Sequence, residues 1–203
     1  MSLRLLASVV LLLLLGACAS APPSNTANIC SIFDDRPKWY RAAKKAEERW
    51  DIPTPVSMAF IYQESGFRAR AKPPRKRILW IIPGPRPSDA YGYAQALDST
   101  WSDYKKAAGS WGASRSNFAD AIDFVAWYNR NSVRINGIAP NDAYNLYLAY
   151  HEGNGGFRRR TYEGKTWLLN TARNVQSNAS RYESQLQGCE RRLGRSWWQR
   201  LFF

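Results

Sequence analysis

The sequence predicts a mostly α-helical domain, and three observations carry that prediction. Apolar residues recur at helical spacing through several segments. Thr, Ser, Asn, Asp and Pro stand where those segments begin, and Gly where several of them end. Patterns that alternate with a period of two are few.

Taken in order, Asp35-Arg36-Pro37 opens the first helix, with Pro in the tolerated first turn. Trp39, Ala43, Ala46 and Trp50 trace its inner face. Thr54-Pro55 repeats the start signal, with Thr54 as the expected N-cap. The segment that follows, VSMAFIYQES, is apolar on nearly all sides, which predicts a central, buried helix stopped by Gly66. Residues 69–91 hold five prolines, a basic cluster and the apolar run ILWII, so a short hairpin or a long ordered loop is expected there. Asp98 or Ser99 then caps TWSDYKKAAG, and Ser116 or Asn117 caps FADAIDFVAWYNRNSVRI, closed by Asn136-Gly137. Asn141 caps DAYNLYLAYHEG, which ends at Gly153. Trp167, Leu168, Ala172, Val175, Ala179, Tyr182 and Leu186 form one stripe of a last, long helix.

The chain begins MSLRLLASVVLLLLLGACAS: a basic start, a short apolar run and small residues, the layout of a secretory signal. Its apolar run is too short to span a bilayer comfortably. Leu15-Gly16-Ala17-Cys18 resembles a bacterial lipobox. That resemblance implies a signal over residues 1–17, lipidation of Cys18, and a lipid-anchored place in the bacterial envelope. Ala19 after the Cys, by the same resemblance, favours the outer membrane, facing the periplasm. Residues 18–29, with APPSNTAN, read as a tether. Residues 30–189 are of a size for one domain, and residues 190–203 form a basic, aromatic tail.

Lys and Arg outnumber Asp and Glu by 29 to 16, for a net charge of +13. Such a chain is drawn to polyanions. Export removes nucleic acid from the expected partners and leaves anionic cell-wall polymer and membrane surface. The tail RRLGRSWWQRLFF either lies in the membrane interface or folds back on the domain. A monomer is expected. Cys30 and Cys189 lie at the two ends of the domain. In an oxidising compartment a disulfide between them is expected, two buried thiols being the alternative. One histidine and no Cys cluster provide no metal set, and no phosphate-cradling glycine loop with its Lys is present. No cofactor is expected.

From Pro55 to Phe67 the only formally charged side chain is Glu64. A carboxyl at the end of a buried helix is poorly solvated when ionised, so its pKa rises. A carboxylic acid that is protonated near neutral pH is what a general acid requires, as in a lysozyme-type site. The alternative is a Glu64 that points out into solvent.

Three motifs accompany it: Q-E-S-G-F at 63–67, G-Y-A-Q at 92–95 and A-Y-H-E-G-N-G-G at 149–156. In the same order they resemble the E-S-x-F, G-[LY]-[MA]-Q and A-Y-N-x-G boxes of the soluble-lytic-transglycosylase (SLT) family, over roughly residues 50–185. The resemblance implies a lysozyme-like α domain of the goose-type lysozyme and SLT kind. It implies cleavage of the β-1,4 bond between N-acetylmuramic acid (MurNAc) and N-acetylglucosamine (GlcNAc) in peptidoglycan. It makes Glu64 the catalytic acid and base, with Ser65 orienting that Glu or the substrate. Tyr93 and Gln95 would line the glycan groove, and Tyr150 would stand close to Glu64. Two departures are plain. The segment between Glu64 and Gly92 is longer than is usual in the family, and His151 stands where the family commonly has Asn. The implied chemistry is non-hydrolytic and ends in a 1,6-anhydro ring. One rival is a muramidase, which needs a second carboxylate; Asp89, Asp98 and Glu152 are the candidates. The other is a non-catalytic peptidoglycan-binding lipoprotein on the same fold.

Overall fold

Asn28 starts the first helix: its side chain accepts the Ser31 N–H and caps α1 (Ile29–Asp35). This computed structural model describes residues 21–75, 77, 78, 82–108 and 111–194. The expected signal, Cys18 and residues 195–203 of the tail lie outside the described residues. The short α1 is absent from the sequence reading, because about two turns offer little periodicity. Its Ile29, Ile32 and Phe33 are nonetheless fully buried.

Pro37 opens α2 (Pro37–Trp50), which turns Tyr40, Ala43 and Ala46 inward. Next comes α3 (Thr54–Ser65), buried along nearly its whole length. Thr54 is its first residue and not its N-cap. Pro53 precedes the helix without a side-chain cap, and the Thr54 hydroxyl donates to the Glu47 carboxylate at 2.7 Å. A buried hydroxyl takes the charged acceptor within reach in preference to capping. After α3 the chain forms the hairpin alternative: β1 (Arg77–Ile78) pairs antiparallel with β2 (Ile82–Pro83), Arg77 facing Pro83 and Ile78 facing Ile82.

Three helices follow: α4 (Asp98–Ala108), α5 (Phe118–Asn136) and α6 (Ala143–Arg158). Asn117 caps α5 by accepting from Ala119 and Asp120 N–H, and left-handed Gly137 ends it. Two expectations for α6 are corrected. Asp142, not Asn141, is its cap, and the helix does not stop at Gly153. Gly153 makes a kink (φ 73°, ψ 157°), after which helix resumes to Arg158. The last helix, α7 (Thr166–Leu193), buries the stripe from Leu168 to Leu193. Trp167 leaves that stripe; it is 57% exposed.

The described residues are mostly helical around one core. The apolar α3 lies between α5 and α7, α2 packs on α5, and α6 bridges α5 and α7. An aromatic layer, Trp39 stacked on Phe118 at 3.9 Å, supports the end of α3 through Phe67. Asp123 of α5 ties two neighbours to it, accepting from Trp50 Nε1 at 2.9 Å and from the Tyr104 hydroxyl at 2.8 Å. A disulfide joins Cys30 in α1 to Cys189 in α7, with Cα atoms 6.1 Å apart. No helix of the described residues is long and apolar enough to cross a membrane.

Candidate active site

Glu64 sits in the last turn of α3, where burial of the helix on all sides carries it into the protein. Two consecutive left-handed residues, Gly66 (φ 57°) and Phe67 (φ 61°), then turn the chain sharply away. Glycine adopts that conformation freely. For Phe it is strained, and complete burial of the ring against Trp39 and Tyr62 offsets the strain. Glu64 keeps a partly accessible edge, yet protein packs closely round its carboxyl. Burial pushes its pKa up from 4.5 to about 7, with hydrogen bonding from the Tyr147 hydroxyl pulling the other way. The Glu64 carboxyl is therefore close to half-protonated at neutral pH.

Tyr147 and Tyr150 come from α6, three positions apart and so on one face. Burial, followed by the neighbouring Glu64, raises both of their pKa values, so both hydroxyls stay protonated. The Tyr150 hydroxyl donates to Ala94 O at 2.6 Å, which fastens the third box to the second. Its ring meets Phe60 of α3 edge-on at 5.4 Å and Tyr128 of α5 at 5.0 Å. Tyr147 and Tyr128 are absent from the sequence reading. For Tyr147 a signal existed: it lies one helical turn before Tyr150.

The second box is a tight backbone structure. Gly92 is left-handed (φ 80°), and a Cβ there would lie 2.1 Å from Arg115 O. Gly92 N–H donates to Ala71 O and Tyr93 N–H to Arg115 O. Gln95, itself at φ 46°, donates its amide to Ala71 O at 3.0 Å and to Gly92 O at 2.9 Å. Those bonds occupy Nε2 and leave Oε1 as its free acceptor. Gln95 and Tyr150 share the wall of a cavity of about 280 Å³ with Leu97, Phe124, Tyr128 and Glu152. Glu64 lines a different cleft, of about 650 Å³, which α7 also walls through Asn174, Ser177 and Asn178. Tyr150 belongs to the wall of the first, while Tyr147 hydrogen-bonds Glu64 of the second.

The remaining expected site residues are placed as follows. Ser65 is buried and gives its proton to Ile61 O at 3.0 Å, a bond within its own helix. Tyr93 is only 6% exposed, its ring held edge-on between Trp39 and Phe118. The structure thus uses the Tyr93 ring for packing, and its backbone for the turn. His151 is exposed, with Nδ1 3.1 Å from Glu152 Oε1 and its ring edge-on to Trp167.

None of the candidate second carboxylates lines the cleft at Glu64. Burial opposes ionisation of Glu152, but Lys165 (2.7 and 2.8 Å), Thr161 and His151 overcome it and hold its pKa at about 2. Asp98 pairs with Arg115 at 2.5 Å, and Asp89 accepts the Asp98 N–H. Among the described residues no group of three His, Cys, Asp or Glu side chains comes together.

Comparison with known proteins gives one match. Neither the curated proteins nor the solved structures yielded a match to the chain. A family model described as transglycosylase SLT domain matches residues 6–189. That span covers nearly the whole sequence and contains Glu64, Gln95 and Tyr150, so the chain belongs to the transglycosylase SLT domain family of peptidoglycan-acting enzymes.

Proposed function

We propose that this domain is a peptidoglycan lytic transglycosylase, which cuts the MurNAc-β-1,4-GlcNAc bond without water and leaves 1,6-anhydroMurNAc ends. The observation that carries the reading is Glu64, a carboxyl brought to a pKa of about 7 by burial and facing a cleft. A group so poised can serve as acid and then as base. Glu64 gives its proton to the glycosidic oxygen, and the C1–O bond breaks. The resulting carboxylate takes the proton from the C6 hydroxyl of the same MurNAc. That oxygen closes on C1, the GlcNAc leaves with its new C4 hydroxyl, and Glu64 is left protonated as it began. Tyr147 stabilises the carboxylate between the two steps, and Gln95 Oε1 offers an acceptor to an N-acetyl N–H.

The hydrolytic rival is less well supported, because Asp89, Asp98 and Glu152 are each bonded to other groups. Lipidation of Cys18 and an outer-membrane address belong to the proposal and rest on the sequence alone.

The reading is tested by turnover of purified sacculi. Glu64→Gln keeps the shape and removes the proton, and is expected to lose at least about a hundredfold in rate. In the parent protein kcat/KM is expected to fall as pH rises through about 7, where the acid form disappears. Tyr147→Phe removes a bond that favours the ionised form, so the same limb moves to higher pH. A Glu64→Gln variant with full activity would overturn the assignment.

A further inference from the structure

The cleft at Glu64 is the first of three that run on from one another. It also contains Arg68 and Arg181. Arg68 is shared with a second cleft, of about 450 Å³, lined by residues 68–72 and Pro22. Lys72 is shared between that cleft and a third, of about 370 Å³, which holds Arg86 and Arg115. The three thus form a continuous strip with a cation at every stage. Its middle stretch has no carboxylate in its walls. Of the acids of the third cleft, Asp98 pairs with Arg115 and Asp89 accepts the Asp98 N–H.

The central cations are exposed and uncommitted. Arg68, Arg70 and Lys72 all face solvent, and among the described residues none of them forms an ion pair. Lys72 rests over the Tyr91 ring at 5.5 Å. The backbone beneath them is fixed: Arg68 N–H donates to Ser65 O, and Ala71 O accepts from both Gly92 N–H and the Gln95 amide. Charges on such a frame cost stability through mutual repulsion unless an anion answers them. Arg68 follows Glu64 by four positions and lines the same cleft, so the strip begins beside the bond to be cut.

A peptidoglycan strand offers anions at that place. Each MurNAc carries, through its lactyl group, a short peptide with free carboxylates, attached to the same sugar whose C1 is attacked. We propose that the Arg68–Arg70–Lys72 strip binds the carboxylates of these peptides, so that the enzyme prefers peptide-bearing glycan to bare glycan. The inference rests on the function proposed above for the substrate, though not on the reaction. Arginine suits the task because its fork pairs with a carboxylate through two bonds.

The test is a binding measurement, chosen to be independent of cleavage. The full chain carrying Glu64→Gln is titrated with glycan strands bearing their peptides, and with the same strands after an amidase has removed them. Binding roughly tenfold tighter to the peptide-bearing strands is expected, since several exposed ion pairs each contribute a little. That preference should fade as salt is raised. It should also vanish in a variant that adds Arg68→Ala, Arg70→Ala and Lys72→Ala and has an unchanged melting temperature. Equal affinity for the two strands would overturn the proposal, and so would a preference that survives the triple substitution. It would also be overturned if the substitution weakened binding to phosphatidylglycerol vesicles alone and left strand binding intact, because the strip would then serve a membrane. Retained peptide preference in a parent protein that cuts neither strand would instead count against the reaction.

Discussion

Glu64 carries a cost that can be measured apart from catalysis. Its folded pKa of about 7 lies above the unfolded value of 4.5, so the folded state holds more protons across that window. Stability therefore falls as pH rises from about 4.5 to about 7, and stays reduced above it. The loss is on the order of 3 kcal/mol, from about 1.4 kcal/mol for each pKa unit. Glu64→Gln removes it. Urea unfolding should find the variant more stable than the parent at pH 8, and the advantage should shrink toward pH 4. An advantage independent of pH would mean that Glu64 is not the buried acid described here. At this scale the sequence is legible where a residue contradicts its surroundings. A lone acid in an apolar helix is visible as such, and so is its place in a motif. Tyr147 is visible only through its spacing from Tyr150, because a tyrosine among apolar residues of a buried helix contradicts nothing by itself. Ser65 and Tyr93 show the converse: motif membership identifies the position, while the contacts of the side chain depend on packing from distant elements.

Among the elements, the second box depends most on a single atom count. Gly92 combines a left-handed backbone with a carbonyl only 2.1 Å from where a Cβ would stand. Gly92→Ala is expected to destabilise by roughly 3 kcal/mol or more, through strain and clash together. It should also dislodge Gln95 and the Ala94 carbonyl that holds Tyr150, so activity should fall even in the fraction that stays folded. Thermal unfolding and turnover measured on one preparation check both effects. Gly66→Ala is the control: nothing lies within 4 Å of its Cβ, so only the backbone term of about 1 kcal/mol remains. Most element starts were legible because caps and prolines are local signals. The end of α6 was not. A glycine specifies a left-handed residue, but whether the chain leaves the helix afterwards or resumes it is decided by what the next turn packs against. Here Gly156 lies against Thr161 and Glu152, which keeps the second segment in line. Spacing alone places Trp167 in the buried stripe for a related reason: periodicity gives the face of a helix, not the point where its partner begins.

For the molecule as a whole, the two ends of the domain meet in the disulfide between Cys30 and Cys189, 159 residues apart. Closing so long a loop restricts the unfolded chain, and its loss is expected to cost about 3–5 kcal/mol. Unfolding by urea with and without reductant should show that difference, with the loss reproduced by replacing both cysteines with Ser. The helical class and the buried central helix follow from composition and period. The arrangement that brings α6 against the end of α3 does not, since it depends on contacts far apart in sequence; only the order of the three motifs announced it. The central claim is that one carboxyl, shielded by the fold, does the chemistry of both proton transfers. The mass of the glycan products tests it most directly. Digestion of sacculi by the parent protein should give MurNAc ends one water lighter than a reducing sugar, and Glu64→Gln should give none. Reducing MurNAc ends from the parent protein would contradict the account and require a second carboxylate or a held water opposite Glu64.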